Sequence, residues 1–170
     1  MKLISRDGRV FKVDAKLAEI SSTIKSLMSN NQHNAGDHAD EAGIPISQVE
    51  GPILEKVIVW AEYHKDESPT TWNFENEEAE ELFRLKYEVA PWDKEYIKVD
   101  QGTIFEIMLA AHYLDIKGLI MLCCKTIAEM LKGKGVEEIR RQFNIKNDFD
   151  PEEEEALRKE TDWTEWSEWN

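Results

Sequence analysis

Between Ile104 and Leu131 the chain carries more apolar side chains than a pair of helices could hide on one buried stripe each. Ile104, Phe105, Ile107, Met108 and Leu109 are interrupted only by Glu106, and Ile116 to Cys124 is almost as rich. Such helices are either wholly central, or they pair a core face with a second face that meets a partner. The rest of the chain is short and polar, with 33% charged residues in a length of 170, too little to cover them all. That balance favours the partner face.

Boundary signals divide this apolar stretch and the residues C-terminal to it. Thr103 and Glu106 have capping-box spacing for a helix reaching Leu114, and Asp115 is placed to cap a second helix that ends near Gly133. A shorter helix fits Val136 to Phe143, with a turn from Asn144 to Phe149. Asp150, Pro151 and Glu153 supply an N-cap, a first-turn proline and a third-position acid, so a charged helix is expected to about Glu160. Beyond it Trp163, Trp166 and Trp169 alternate with polar residues.

The front half reads as α+β. Strand-like runs at Leu3 to Ser5 and Val10 to Val13 flank Asp7-Gly8, a hairpin-turn dipeptide. Leu17, Ile20, Ile24, Leu27 and Met28 recur at helical spacing, and the polar stretch from Asn30 to Gly43 is expected to be a loop. Ile44-Pro-Ile46 suits an edge strand, and Ser47 with Glu50 has capping-box spacing ahead of a helix that Pro52 enters. Asp66 to Asn76 is expected to be a mobile acidic insertion and Glu77 to Leu85 a short surface helix.

A net charge of -14 repels phosphate backbones and anionic lipid surfaces, so neither nucleic acid nor a membrane is the expected partner. No window approaches the roughly 20 apolar residues that cross a bilayer, and no apolar stretch of signal-peptide length comes after Met1 to Ile4. Adjacent Cys123 and Cys124 in a helical pattern read as free thiols of a reducing compartment, so the expected location is cytoplasmic and nuclear. His33, Asp37, His38 and Asp40 are metal-ligand types, but they lack cysteine and a rigid frame, and a solvated loop is the plainer reading. His112 has no serine, cysteine and carboxylate set around it, and the glycines lack phosphate-loop spacing. The expectation is a protein without catalytic residues, metal or cofactor, whose work is binding.

Val99-Asp-Gln-Gly-Thr-Ile-Phe-Glu-Ile-Met-Leu-Ala-Ala-His-Tyr-Leu-Asp-Ile-Lys-Gly-Leu119 closely resembles the signature of the S-phase kinase-associated adaptor family of cullin-RING (SCF-type) ubiquitin ligases. The likeness continues through Cys124-Lys-Thr126, Met130 to Lys134, Glu137-Glu-Ile-Arg140 and Phe143 to Phe149, and on into Trp163. At the front, Asp7-Gly-Arg-Val-Phe11, Thr23-Ile-Lys25, Ile58 with Trp60, and His64-Lys-Asp66 share it, so nearly the whole chain is covered.

This resemblance implies a BTB/POZ fold with additional C-terminal helices. Its parts would be an N-terminal portion over 1–66, an acidic variable insertion over 67–91, the remaining BTB/POZ helices over 92–132 and F-box-binding helices with a tail over 133–170. It implies an adaptor that bridges F-box substrate receptors to a cullin, and through it to a RING protein and an E2; weak self-association of the free chain is left open by the sequence. Cullin contact would fall on His112 and Tyr113. F-box contact would fall on Ile116, Leu119, Ile120, Cys123, Cys124, Ile139, Phe143, Ile145 and Trp163. His112 stands where the family commonly has asparagine, and Trp72, Phe74, Leu82, Phe83, Trp166 and Trp169 are further departures that suggest a divergent paralogue. The alternative from another class is a structural or regulatory partner of F-box-like proteins outside any ligase.

Overall fold

Asp7-Gly8 turns the chain back on itself, Gly8 taking a φ of 82° that costs glycine nothing. The computed structural model describes residues 1–35, 43–67 and 76–160. In it β1 (Lys2–Ser5) pairs antiparallel with β2 (Val10–Lys12) and parallel with β3 (Ile44–Ile46), so β2 and β3 are the edges of a three-stranded sheet. Pro45 lies on the β3 edge, where its missing N–H breaks no ladder. The hairpin turn also caps a helix: Asp7 Oδ1 accepts from the Gly51 amide at 2.9 Å. A Cβ at Gly51 would stand 2.4 Å from Arg9 Cδ, so a larger residue there would push the Arg9 side chain aside.

The stripe expected as one helix forms two, α1 (Leu17–Ile20) and α2 (Ser22–Ala35), parted where Ser21 adopts extended dihedrals. Ser21 Oγ accepts from the Ile24 amide at 3.1 Å and so caps α2. α2 runs to Ala35, into the stretch expected as loop. α3 (Gly51–His64) begins with Pro52 in its first turn, and Glu50 is its N-cap without a side-chain cap bond, in place of the expected Ser47–Glu50 box. After α4 (Glu77–Lys86) comes α5 (Pro91–Tyr96), a short helix that the sequence pattern did not announce. Pro91 opens it, as proline does where the first-turn N–H has no intrahelical partner.

α6 (Gln101–Leu114) is capped by Asp100, which accepts from the Thr103 amide at 3.1 Å, so the Thr103–Glu106 box is not the cap used. α6 ends at Asp115, which takes left-handed dihedrals with φ 52°. The amides of Asp115 and Ile116 return to the carbonyls of His112 and Ala111, a Schellman closure. Asp115 thus closes α6, and the backbone bond from the Ile120 amide to the Ile116 carbonyl begins the next helix. Then come α7 (Lys117–Leu131), α8 (Val136–Gln142) and α9 (Pro151–Glu160).

Contacts divide the chain into a first unit, Met1–Thr126, and a second, Ile127–Asn170. In the first, α3 packs on α6, with Leu54, Val57, Ile104, Ile107, Leu114, Ile116, Leu119 and Leu122 in the core. A polar knot sits in this core. Trp60 Nε1 donates to Asp93 Oδ1 at 2.9 Å, and His64 Nε2 lies 3.0 Å from the same oxygen while its Nδ1 lies 2.6 Å from Glu67 Oε1. Burial disfavours a charged imidazole, but the hydrogen bonds and negative charges of Asp93 and Glu67 outweigh it and raise the His64 pKa above its ordinary value. Among the described residues of the second unit, none is buried.

Candidate functional site

α6 places Glu106, Leu109, Ala110 and Tyr113 at spacings of three and four, hence on one helical face. Together with Gln48, Val49, Glu50 and Ile53, from the loop before α3 and its first turn, they line an open groove of about 660 Å³. Leu109 is 67% exposed there, a large apolar side chain left in water beside Tyr113. Glu50 and Glu106 supply the acidic rim.

The end of this face is held by α2 and by Ser21, which caps that helix. Ser21 Oγ donates to the Leu114 carbonyl, Ser22 Oγ to the Asp115 carboxylate, and Thr23 Oγ1 to the Tyr113 carbonyl at 3.0 Å. Consecutive hydroxyls thus fix consecutive residues at the α6 terminus, so Tyr113 is presented on a rigid element. His112 is exposed next to it but does not line the groove. Sequence reasoning named His112 and Tyr113 and missed Leu109, Ile53 and Glu106. The signal was present in the excess of apolar residues on α6; what it could not say is which of them lay outward.

The residues expected to meet an F-box separate by burial. Ile116, Leu119 and Cys123 are fully buried in the first unit, so they support a surface and cannot supply one, which corrects their assignment as contacts. Burial also pushes the Cys123 thiol up to about 12, with the neighbouring Cys124 adding to the shift, and the thiol is held protonated. Ile120 is half-buried and Cys124 exposed. In the second unit Ile139 and Phe143 are half-buried, while Val136, Ile145, Phe149 and Leu157 are exposed. The last four were not all foreseen: only Ile145 was named.

Polar contacts organise that second surface. Arg140 Nη1 reaches Glu137 Oε1 at 2.7 Å and Glu154 Oε1 at 3.4 Å, linking α8 to α9. Asp150 Oδ1 accepts from the amides of Glu152 and Glu153, both at 2.9 Å, and the Asp150 amide donates to Glu153 Oε2 at 3.3 Å, a reciprocal cap as the sequence suggested. Trp163, Trp166 and Trp169 lie outside the described residues, as do Trp72, Phe74, Asp37, His38 and Asp40. Of His33 only the backbone, within α2, is described.

Comparison with known proteins gives matches at both ends of the chain. Residues 1–66 match a family model described as Skp1 family, tetramerisation domain, and residues 117–164 one described as Skp1 family, dimerisation domain. A Skp1-related protein of Caenorhabditis elegans is 44% identical over 97% of this chain and 91% of its own length. The E3 ubiquitin ligase complex SCF subunit sconC of Arthroderma otae is 42% identical over 96% of this chain and 93% of its own length, and its counterpart in Arthroderma benhamiae matches equally.

Proposed function

Because the chain belongs to the Skp1 family, with its POZ domain and C-terminal helices, we propose that it is the adaptor subunit of an SCF-type ubiquitin ligase, carrying an F-box protein and a cullin at once. The observation that carries this reading is that each contact unit leaves its own apolar surface in water: Leu109 with Tyr113 in the first, Ile145 with Val136, Phe149 and Leu157 in the second. An adaptor needs two docking faces and no chemistry of its own, since joining two partners raises the local concentration of one near the other.

In this reading the α6 groove, with His112 at its margin, receives the cullin. Ile120, Cys124, Ile139, Phe143 and Ile145 grip the F-box, with Trp163 as a further anchor from beyond the described residues. Ubiquitin transfer then belongs to the RING protein and the E2, and the chain acts in cytoplasm and nucleus. Left without an F-box, the second unit's exposed side chains favour weak self-association.

Replacing His112 and Tyr113 with lysine tests the division of labour. Titration calorimetry should show cullin affinity lowered by about 2 kcal/mol or more, the cost of losing an aromatic anchor, with F-box affinity held. Unchanged cullin affinity would sink the assignment of that face.

A further inference from the structure

The β2 edge of the sheet combines open backbone groups with unpaired positive charge. Met1 and Val13 exchange both hydrogen bonds across the hairpin, each at 3.1 Å. In an antiparallel ladder bonded and non-bonded pairs alternate, so the Lys2–Lys12 and Ile4–Val10 pairs are non-bonded and the amides and carbonyls of Val10 and Lys12 point to the free edge. Among the described residues no backbone partner faces them there, and both residues are exposed, Val10 at 58%.

Side chains on this edge are equally unsatisfied. Lys2 and Lys12 stand directly opposite each other, and like charges so placed repel. No carboxylate among the described residues reaches ion-pair distance of either, although the chain as a whole has a net charge of -14. Of the other cations along the hairpin, the Met1 ammonium donates to the Val13 carbonyl at 3.1 Å and adds to the positive charge of this end, while Arg9 is already held by Asp7 at 3.1 Å. Met1, Lys2, Lys12 and Val13 line a shallow cleft of about 390 Å³ that shares no residue with the α6 groove.

We propose that this edge is a third docking site, which takes an extended acidic segment of a partner protein as a fourth strand. Added strands pair through main-chain hydrogen bonds and are selected by alternate side chains. The occupant's acid would lie opposite Lys12 and within reach of Lys2, and two residues along, on the same face, an apolar side chain would cover Val10. Lysines on an edge are also a common guard against pairing between copies. Here that guard becomes a filter, because it turns away a cationic edge like itself and admits an acidic one.

The test uses the whole chain and a fluorescein-labelled peptide, Thr-Glu-Thr-Val-Thr-Glu-Thr-Val, with a second in which glutamine replaces both glutamates. The acidic peptide should bind saturably, more weakly as salt rises, and at least about tenfold more tightly than the glutamine version. Lys2→Gln with Lys12→Gln should remove that preference. Val10→Pro keeps both lysines and removes one edge N–H that makes no bond within the sheet, and it should also weaken binding about tenfold. Hydrogen exchange should show the Val10 and Lys12 amides protected when peptide is bound. Equal binding of the two peptides, full binding by the proline variant with a native melt, or no binding at all would each overturn the proposal.

Discussion

The same helix ending occurs once in each unit, with opposite outcomes. After α6, Asp115 takes the left-handed turn and the Ile116 amide bonds back to the Ala111 carbonyl at 2.9 Å; after α8, Asn144 takes it, with φ 51°, and the Ile145 amide bonds back to Arg140 at 2.8 Å. Both turns use a short polar side chain that tolerates these dihedrals, and both are succeeded by isoleucine, whose apolar side chain normally folds back on the helix end. Ile116 is 0% exposed and Ile145 is 54% exposed. Identical local chemistry thus completes a core in the first unit and leaves an apolar side chain facing water in the second. The difference is the packing available, and it is the physical basis for assigning stability to Ile116 and for proposing Ile145 as a contact.

The largest effect that tests this contrast comes from the first unit's core. Leu119→Ala should lower unfolding free energy by about 2–5 kcal/mol, because a fully buried leucine leaves both lost transfer energy and a cavity. Ile145→Ala should change it by no more than about 0.5 kcal/mol, as at other exposed positions. Urea midpoints for the two variants would settle it; similar losses would mean the second unit is as tightly packed as the first.

Next in size is the effect on binding. Truncation before Asp150 removes α9, whose Leu157 is exposed and whose Glu154 anchors Arg140, together with residues 161–170. It should weaken F-box affinity by about 2–4 kcal/mol, the scale of a lost hot spot, and leave the thermal melt of the first unit in place. Unchanged F-box affinity would refute the grip, whereas collapse of the whole fold would assign those residues to the core.

Much of this contrast could be read from residues alone, and the limits are instructive. Asp7-Gly8, Pro52 and the Asp150 cap act over a few neighbours, so their turn and helix starts were legible. α5 was missed because Pro91 reads equally as a break and as a first-turn residue, and its burial of Asp93 depends on Trp60 and His64, far away in sequence. The seryl and threonyl bonds from α2 to residues 113–115 are likewise invisible to spacing. On α6 and α7, periodicity announced surplus apolar surface yet could not tell Leu109, outward, from Ile116, Leu119 and Cys123, inward, because a helix apolar on all sides has no phase to read.

A pH titration sharpens the comparison through the first unit's polar knot. The folded His64 pKa is raised, so its stabilisation is fully present below the ordinary histidine value of about 6.5 and is lost as pH rises through the raised folded value. Urea midpoints should therefore fall as the buffer passes from mildly acidic to alkaline, and His64→Gln should flatten that slope. A midpoint that rises over the same range would show that the imidazole is held neutral by its burial instead.

The smallest effect belongs to the second unit's own cohesion. Arg140 reaches Glu154 at 3.4 Å, an ion pair that links α8 and α9 where no buried side chain does so among the described residues. A long, partly exposed pair of this kind adds little net stability, and what it adds weakens with salt. Glu154→Gln should accordingly leave the urea midpoint of the chain unchanged within error, while reducing the helical circular dichroism of residues 127–160 slightly at low salt and not at high salt. If the loss is large and salt-independent, α9 is held by apolar packing, and the contrast between a packed first unit and an unfilled second one would have to be withdrawn.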